Sequence, residues 1–233
     1  MSFRPGGWTT WHDVYFTITR YLNMIELQFP VVGQTVPTQN GYALYGAISR
    51  IVPEIHDLDA PIAIAPLTGS RGEMGELLLD RRSQIRIRLP AELIPQLLRL
   101  AGRPLELVNH RIQVGVPRVQ IIEPSSNLYA RIVLLKVAHI CDPSPSQFET
   151  AVRKRLDEHQ ISATAEIPVH RFGCRRGQPL RRVTKISGRT ITGYALRVNG
   201  LSAGDSIKLQ EIGLGGRRKM GGGFFIPITK QGD

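Results

Sequence analysis

Gly213-Leu214-Gly215-Gly216-Arg217-Arg218-Lys219-Met220-Gly221-Gly222-Gly223-Phe224-Phe225 lies near the end of the chain, ahead of a last apolar run from Phe224 to Ile228. Six of these thirteen residues are glycine, and three neighbouring ones are cationic. Without a Cβ, glycine takes positive φ readily and lets another backbone come close. Successive N–H groups in such a loop form a concave nest for an anion. Gly215, Gly216 and Gly221 give that close approach, and Arg217, Arg218 and Lys219 place full charges beside it. A flexible linker is the plainer account, but linkers are usually glycine and serine and rarely carry Arg-Arg-Lys followed by Phe-Phe-Ile. The stretch reads as a phosphate-binding loop feeding a terminal strand.

The charge of the chain points the same way. Its 233 residues carry a formal charge of +11, and 42% of them are apolar, enough for a real core. Between Arg171 and Lys219 there are twelve cations and two anions, nearly the whole excess. Such a concentration suits a polyanion-binding face. Within it, Arg175-Arg176-Gly177-Gln178-Pro179-Leu180-Arg181-Arg182 reads as a hairpin turn bearing four arginines with no carboxylate nearby in sequence. Lys185 and Arg189 extend the basic run, and His170 stands at its entrance. Only Phe172 and Tyr194 accompany these cations, so phosphate gripping is expected to outweigh base stacking.

The two cysteines, Cys141 and Cys174, form no CxxC pair and no disulfide framework. No His/Cys cluster has ligand spacing, so no metal and no cofactor is expected. The N-terminal residues lack the apolar run of a signal peptide, and the apolar stretch Leu128 to Ile140 is too short to span a bilayer. The expected setting is the cytoplasm, with no membrane partner.

Upstream of the loop, strand and helix patterns alternate. Residues 1–19 hold both tryptophans and little periodicity, and read as an extension or short strand. Met24 to Val31 alternates as a half-buried strand does. Asn40 is placed to cap a helix that carries Leu44, Ile48, Ile51 and Val52 at helical spacing and closes at Pro53. Pro61 to Leu67 and Ser83 to Leu89 read as strands, Pro90 to Leu100 as a helix ended by Gly102. Hairpin strands follow to Ile122, turning near Asn109-His110. The order is β-α-β-β-α-β, that of the ferredoxin-like unit.

Glu123-Pro124-Ser125-Ser126-Asn127 is a polar break, after which the order begins again. Leu128 to Ile140 reads as a strand, and Ser146 to Gln160 as a helix with Phe148, Val152 and Leu156 on one stripe. Ala163 to Phe172, Leu180 to Ile186 and Thr190 to Val198 read as strands, Ser202 to Ile212 as a helix, and Phe224 to Ile228 as the closing strand. The expected fold class is α+β, two ferredoxin-like (βαββαβ) domains in tandem over residues 1–123 and 128–233.

Two stretches carry a family resemblance. Phe29-Pro30-Val31-Val32-Gly33-Gln34, with Gly41-Tyr42-Ala43-Leu44-Tyr45-Gly46-Ala47-Ile48-Ser49-Arg50-Ile51-Val52-Pro53, resembles the first strand and first helix of the Cas-six family, in a branch found in type I CRISPR systems. Gly213 to Phe224 resembles the glycine-rich loop of the wider repeat-associated mysterious protein superfamily. The resemblance implies a nuclease that cuts CRISPR precursor RNA within each repeat without metal. The ribose 2′-OH attacks the scissile phosphorus, leaving a 2′,3′-cyclic phosphate, and the protein keeps hold of the mature crRNA. The implied partners are the repeat RNA, its crRNA product and other type I effector subunits.

The resemblance also implies a histidine immediately before Gly41-Tyr42, and this chain has Asn40 there. A carboxamide does not titrate, so proton transfer would fall to another group. His56, just past the helix, is the nearest histidine, the residue type suited to proton transfer near neutral pH, and Tyr42 can donate a hydrogen bond to a phosphate. Arg50 can steady a phosphate from the helix surface. The alternative is a crRNA-binding subunit of a type I effector or CRISPR-associated transposon complex that does not cut. A nucleotide enzyme is disfavoured, because there is no GxxxxGK[ST] and the loop opens no crossover helix.

Overall fold

In a computed structural model the structure describes residues 24–56, 61–73, 75–137, 140 and 142–228. The N-terminal extension, His12, His139 and Cys141 lie outside the described residues; Cys174 is free and exposed. No helix among the described residues is long and apolar enough to cross a membrane.

The first half contributes strands β1 (Met24–Val32), β2 (Thr35–Pro37), β3 (Ala63–Ile64), β4 (Ser70–Arg71), β5 (Glu76–Leu78), β6 (Gln84–Pro90), β7 (Pro104–Leu107), β8 (His110–Val114) and β9 (Arg118–Ile121), with helices α1 (Gly41–Ile51) and α2 (Ile94–Leu98). β1 is the spine, pairing antiparallel with β6, with β9 on its other edge, and with β8 at its far end. With β3 outside β6 the order is β3-β6-β1-β9, the split pairing of a ferredoxin-like domain. β7 and β8 form an inserted hairpin, and β2, β5 and β4 a small separate sheet. Alternation sends Leu27, Phe29, Ile85, Ile87 and Leu89 into a core with Leu44 and Ile48 of α1. Glu26, Gln28, Arg86 and Arg88 therefore share the opposite face.

The second half repeats the plan with β10 (Asn127–Val133), α3 (Pro145–Glu158), β11 (Thr164–Glu166), β12 (Arg181–Ile186), β13 (Arg189–Asn199), α4 (Ala203–Ile212) and β14 (Phe225–Pro227). The order is β11-β13-β10-β14, equivalent to that of the first sheet, and β12 folds onto the start of β13 as an added hairpin. The chain is α+β, with two ferredoxin-like domains in tandem. α3 begins in a capping box, with Ser144 and Gln147 each bonding the other's backbone, and buries Phe148, Val152 and Leu156. Ser202 caps α4 by accepting from the Asp205 N–H.

Several sequence expectations are corrected. The helix expected over Pro90 to Leu100 is a 3-10 turn and then the five residues of α2, because Pro95 has no N–H to carry a regular ladder through. β10 stops at Val133, where the register shifts; the Leu134 carbonyl accepts from the Gly216 N–H at 2.9 Å, which pulls the chain out of the sheet. Of Ala163 to Phe172 only β11 is a strand, and of Pro61 to Leu67 only β3. Tyr194 is core, its ring against Phe148 and its hydroxyl donating to the Pro143 carbonyl.

The glycine-rich loop joins the two domains. A Cβ on Gly221 would lie 2.4 Å from Pro66 Cγ, and one on Gly41 would lie 2.3 Å from the Met220 carbonyl oxygen. Only glycine lets these backbones meet. Arg88, 1% exposed, crosses the same junction. Its Nε donates to Glu26 Oε2 (3.0 Å) and its Nη1 to the Gln210 carbonyl (3.0 Å), and its guanidinium lies 4.2 Å from the centre of the Phe224 ring.

Two carboxylates at this junction titrate in opposite senses. Burial alone would raise the Glu26 pKa, but the hydrogen bond from Arg86 and the charges of Arg86 and Arg88 outweigh it and hold it low. Its stabilisation is thus present above the ordinary carboxylate range and is lost on acidification. Burial pushes Glu211 up to about 7 from an ordinary 4.5, with the charge of Arg88 only partly opposing it. Between those values the folded chain holds a proton that the unfolded chain has released, so stability falls as pH rises through the window. The melting temperature is expected to drop between about pH 5 and 7, and Glu211→Gln is expected to flatten that slope; an equal slope in the variant would clear Glu211 of the effect.

Candidate nucleic-acid interface

The helix-free faces of the two sheets turn toward one another and leave a cleft. From the first domain it receives Arg86 and Gln84 on β6, with Arg82 just before it; from the second, Tyr129 and Arg131 on β10 and Arg182 on β12. Phe224 and Gly221 complete a chamber of about 420 Å³. A second chamber, about 300 Å³, shares Pro66, Arg131 and Arg182 with the first and is closed by Asn40, Arg181 and Met220.

The cations here differ in how they are held. Arg86 is tied to Glu26 by two hydrogen bonds, and Arg181 to Asp142 at 2.8 Å. That ion pair corrects the expectation that the arginine run has no carboxylate partner. Arg131 and Arg182 pair with no carboxylate among the described residues. Burial lowers the Arg131 pKa, and the charge of Arg182 lowers it further; its one hydrogen bond is a long one, Nη2 to the Thr38 carbonyl at 3.4 Å. Arg182 Nε is buried without a partner. A cation taken out of water without an anion costs free energy. An anion entering the cleft would remove that cost.

Asn40 is fully buried at the inner end of the cleft, and its side chain caps nothing. Nδ2 donates to the carbonyls of Pro37 (3.0 Å) and Leu67 (3.1 Å), and Oδ1 accepts from the Leu67 N–H (2.8 Å). The capping expectation is corrected: the amide ties the start of α1 to the end of β2 and to the segment after β3, satisfying three backbone groups. Asn40→Ala is expected to cost on the order of 2–4 kcal/mol by leaving them unpaired, read from the denaturant midpoint. A midpoint within error of the wild type would contradict this role.

Two residues on, the hydroxyl of the exposed Tyr42 meets Ser187 Oγ (3.2 Å) at the tip of the β12–β13 hairpin. Lys185 and Arg189 lie exposed on that hairpin. Arg175 and Arg176 are exposed on a turn of the β11–β12 connection, and His170 is half-buried at its base. Arg50 is exposed on the last turn of α1. His56 lies past the far end of α1, about 16 Å of helix from Asn40 at 1.5 Å per residue. The structure therefore separates these two candidate catalytic positions. His56 is exposed; its Nδ1 and the Tyr45 hydroxyl share a 2.7 Å hydrogen bond, and beside it Lys219 Nζ donates to the Ile55 carbonyl at 2.7 Å.

The loop residues divide. The N–H groups of Met220, Gly221 and Gly222 donate to carbonyls within the loop, and those of Gly216 and Gly223 to Leu134 and Ile132, so the open anion nest is corrected to a bonded turn. Arg218 donates to the Glu211 carbonyl and Lys219 faces α1. Arg217, at φ 60, is exposed, and with Gly215, Gly216, Lys136 and Arg155 it lines a depression on the other side of the second domain. Sequence reasoning missed Arg82, Arg86, Tyr129 and Arg131 as cleft residues. Arg131 carried a signal: a cation within a strand otherwise read as core.

Tandem ferredoxin-like domains whose sheets face one another across a basic cleft define the fold class of this chain. The family model described as Cas6 Crispr matches residues 25–230. A CRISPR-associated endonuclease Cas6 of Myxococcus xanthus (strain DK1622) is 36% identical over 203 residues, 87% of this chain and 81% of that protein. The chain belongs to the Cas6 family. Among solved structures, a Cas6-related protein from Pyrococcus furiosus shares the fold with a TM-score of 0.61 at 15% identity, covering 89% of this chain and 100% of that one. A RAMP protein described as binding different RNA substrates has a TM-score of 0.61 at 13% identity, covering 88% and 100%.

Proposed function

We propose that this chain processes CRISPR RNA, gripping repeat RNA in the cleft between its two sheets and cutting it. The observation that carries the reading is the pair Arg131 and Arg182, two guanidiniums held in the cleft without carboxylates among the described residues, in a member of a family whose Myxococcus representative is an endonuclease. Arginine forks match phosphate oxygens in pairs. A-form RNA shows little base information in its deep major groove, so grip through phosphates and shape suits it. The exposed Arg175, Arg176, Lys185 and Arg189 extend the positive surface from the cleft mouth along the second domain, and Arg217 adds a further contact on its far side.

For cleavage, the attacking 2′-OH must lie in line with the leaving oxygen, with a base and an acid in reach and the phosphorane charge neutralised. No step in this scheme requires a metal. His56 supplies a titratable group whose ring is oriented by Tyr45, and Lys219 stands close by as a cation. The mature crRNA stays bound because the cleft contacts are untouched by the cut.

A second reading is favoured by one observation. Asn40 occupies the position the family resemblance assigns to histidine, and its amide is fully engaged in structure. On that reading the protein holds crRNA for an effector or CRISPR-associated transposon complex without cutting. Incubating the protein with its repeat RNA in EDTA and characterising the product ends separates the two. A 2′,3′-cyclic phosphate is the expected result; tight binding with intact RNA would establish the holder, and no binding would remove both.

A further inference from the structure

The connection between β11 and β12 holds a feature that phosphate gripping does not use. Phe172 is 85% exposed, the most exposed large apolar side chain among the described residues. Its loop is pinned at the base. Val169 bridges Pro179, the His170 N–H donates to the Gln178 carbonyl (2.9 Å), and the Leu180 N–H donates to the Pro168 carbonyl (2.8 Å). The ring is thus displayed from a braced hairpin.

Phe172 and His170 stand on one side of a depression of about 590 Å³, with Tyr129, Arg197 and Ile226 from the sheet on the other. Tyr129 and Ile226 also line the arginine cleft, so one surface runs from the two guanidiniums to the exposed ring. Apart from Arg171 and Arg197, the walls are aromatic and aliphatic. Arg197, whose Nη1 donates to Glu166 at 3.0 Å, brings a cation to the lining. An aromatic face continuous with a phosphate-binding groove is what an unpaired nucleotide requires, because every base has a π-face whatever its sequence.

We propose that this depression is a base-stacking subsite. One unpaired nucleotide of the bound RNA, next to the phosphates held by Arg131 and Arg182, turns its base out of the cleft and stacks on Phe172, with Tyr129 bounding the opposite side. The subsite rests on the RNA-binding reading above and adds to it a preference for RNA that has an unpaired nucleotide beside the gripped phosphates. A protein segment is the less fitting occupant, since the surface leads directly into the groove that holds Arg131 and Arg182.

The test uses repeat RNA carrying 2-aminopurine at each unpaired position in turn, titrated with the wild type, Phe172→Ala and Phe172→Trp. With the wild type, fluorescence is expected to be quenched at one position. Phe172→Ala should abolish the quenching and weaken binding about tenfold, within the range of one base stack. The slope of log K against log salt should stay unchanged, because no phosphate contact is lost. Phe172→Trp should restore both. Unchanged affinity and no quenched position would overturn the subsite while leaving the RNA-binding reading intact, as would a Phe172→Ala defect confined to association with other proteins. Failure of the wild type to bind repeat RNA would defeat the underlying reading at the first titration. The exposed position leaves the fold undisturbed, which equal melting temperatures would verify.

Discussion

Arg131→Ala combined with Arg182→Ala is expected to weaken repeat-RNA binding by on the order of 100-fold at low salt, near the low end of what two charge-assisted contacts contribute. It is also expected to lower the salt dependence. Each phosphate no longer neutralised removes roughly 0.7 from the slope of log K against log salt on a single strand, so the double variant should lose about 1.4. The fold should survive or gain, because neither guanidinium has a carboxylate to abandon among the described residues and the burial penalty on Arg131 disappears. Arg86 differs: removing it strips Glu26 of two hydrogen bonds, which makes it a poor probe. Unchanged affinity and slope in the double variant would exclude the cleft as the RNA path.

His56→Ala is expected to slow repeat cleavage by about 10² to 10⁴, the span of a lost general acid or base, with RNA affinity unaltered. The argument rests on accessibility joined to orientation. The imidazole is exposed at one edge, while Tyr45, itself buried in α1, fixes the other through Nδ1. Tyr45→Phe keeps the packing and removes only the hydroxyl, so it should produce a smaller fall. Single-turnover rates at saturating protein separate this from a binding defect. A His56→Ala rate equal to the wild type would take His56 out of the chemistry and return attention to the cleft end near Tyr42.

How far the sequence discloses the molecule depends on the range of each interaction. α3 was legible because its signal is local, an apolar stripe of Phe148, Val152 and Leu156 at i, i+4, i+8; the equally local Ser144–Gln147 capping box went unread. The tandem fold was legible from the repeated order of strands and helices. Asn40 was misread because its partner, Leu67, lies 27 residues away and nothing in the intervening sequence announces it. The glycine loop was recognised as a place of close backbone approach, but the partner is Pro66 and the start of α1 rather than a phosphate. The cleft itself depends on which faces of two sheets meet. Alternation shows that Arg131 opposes the core, not that it faces Arg182 and β6.

The Arg88 junction bears on how the chain is made. The Gln210 carbonyl that Arg88 reaches is 122 residues further along, and the Phe224 ring comes later still. A nascent chain can pair β1 with β6 and close its first core long before either has left the ribosome. Until then Arg88 has Glu26 but remains open to water on its other side, and the surface around Gly41 and Pro66 waits uncovered for residues 220 and 221. The first domain therefore emerges with an unfinished flank, and the segment from Gln210 to Phe224 finishes both halves at once when it follows.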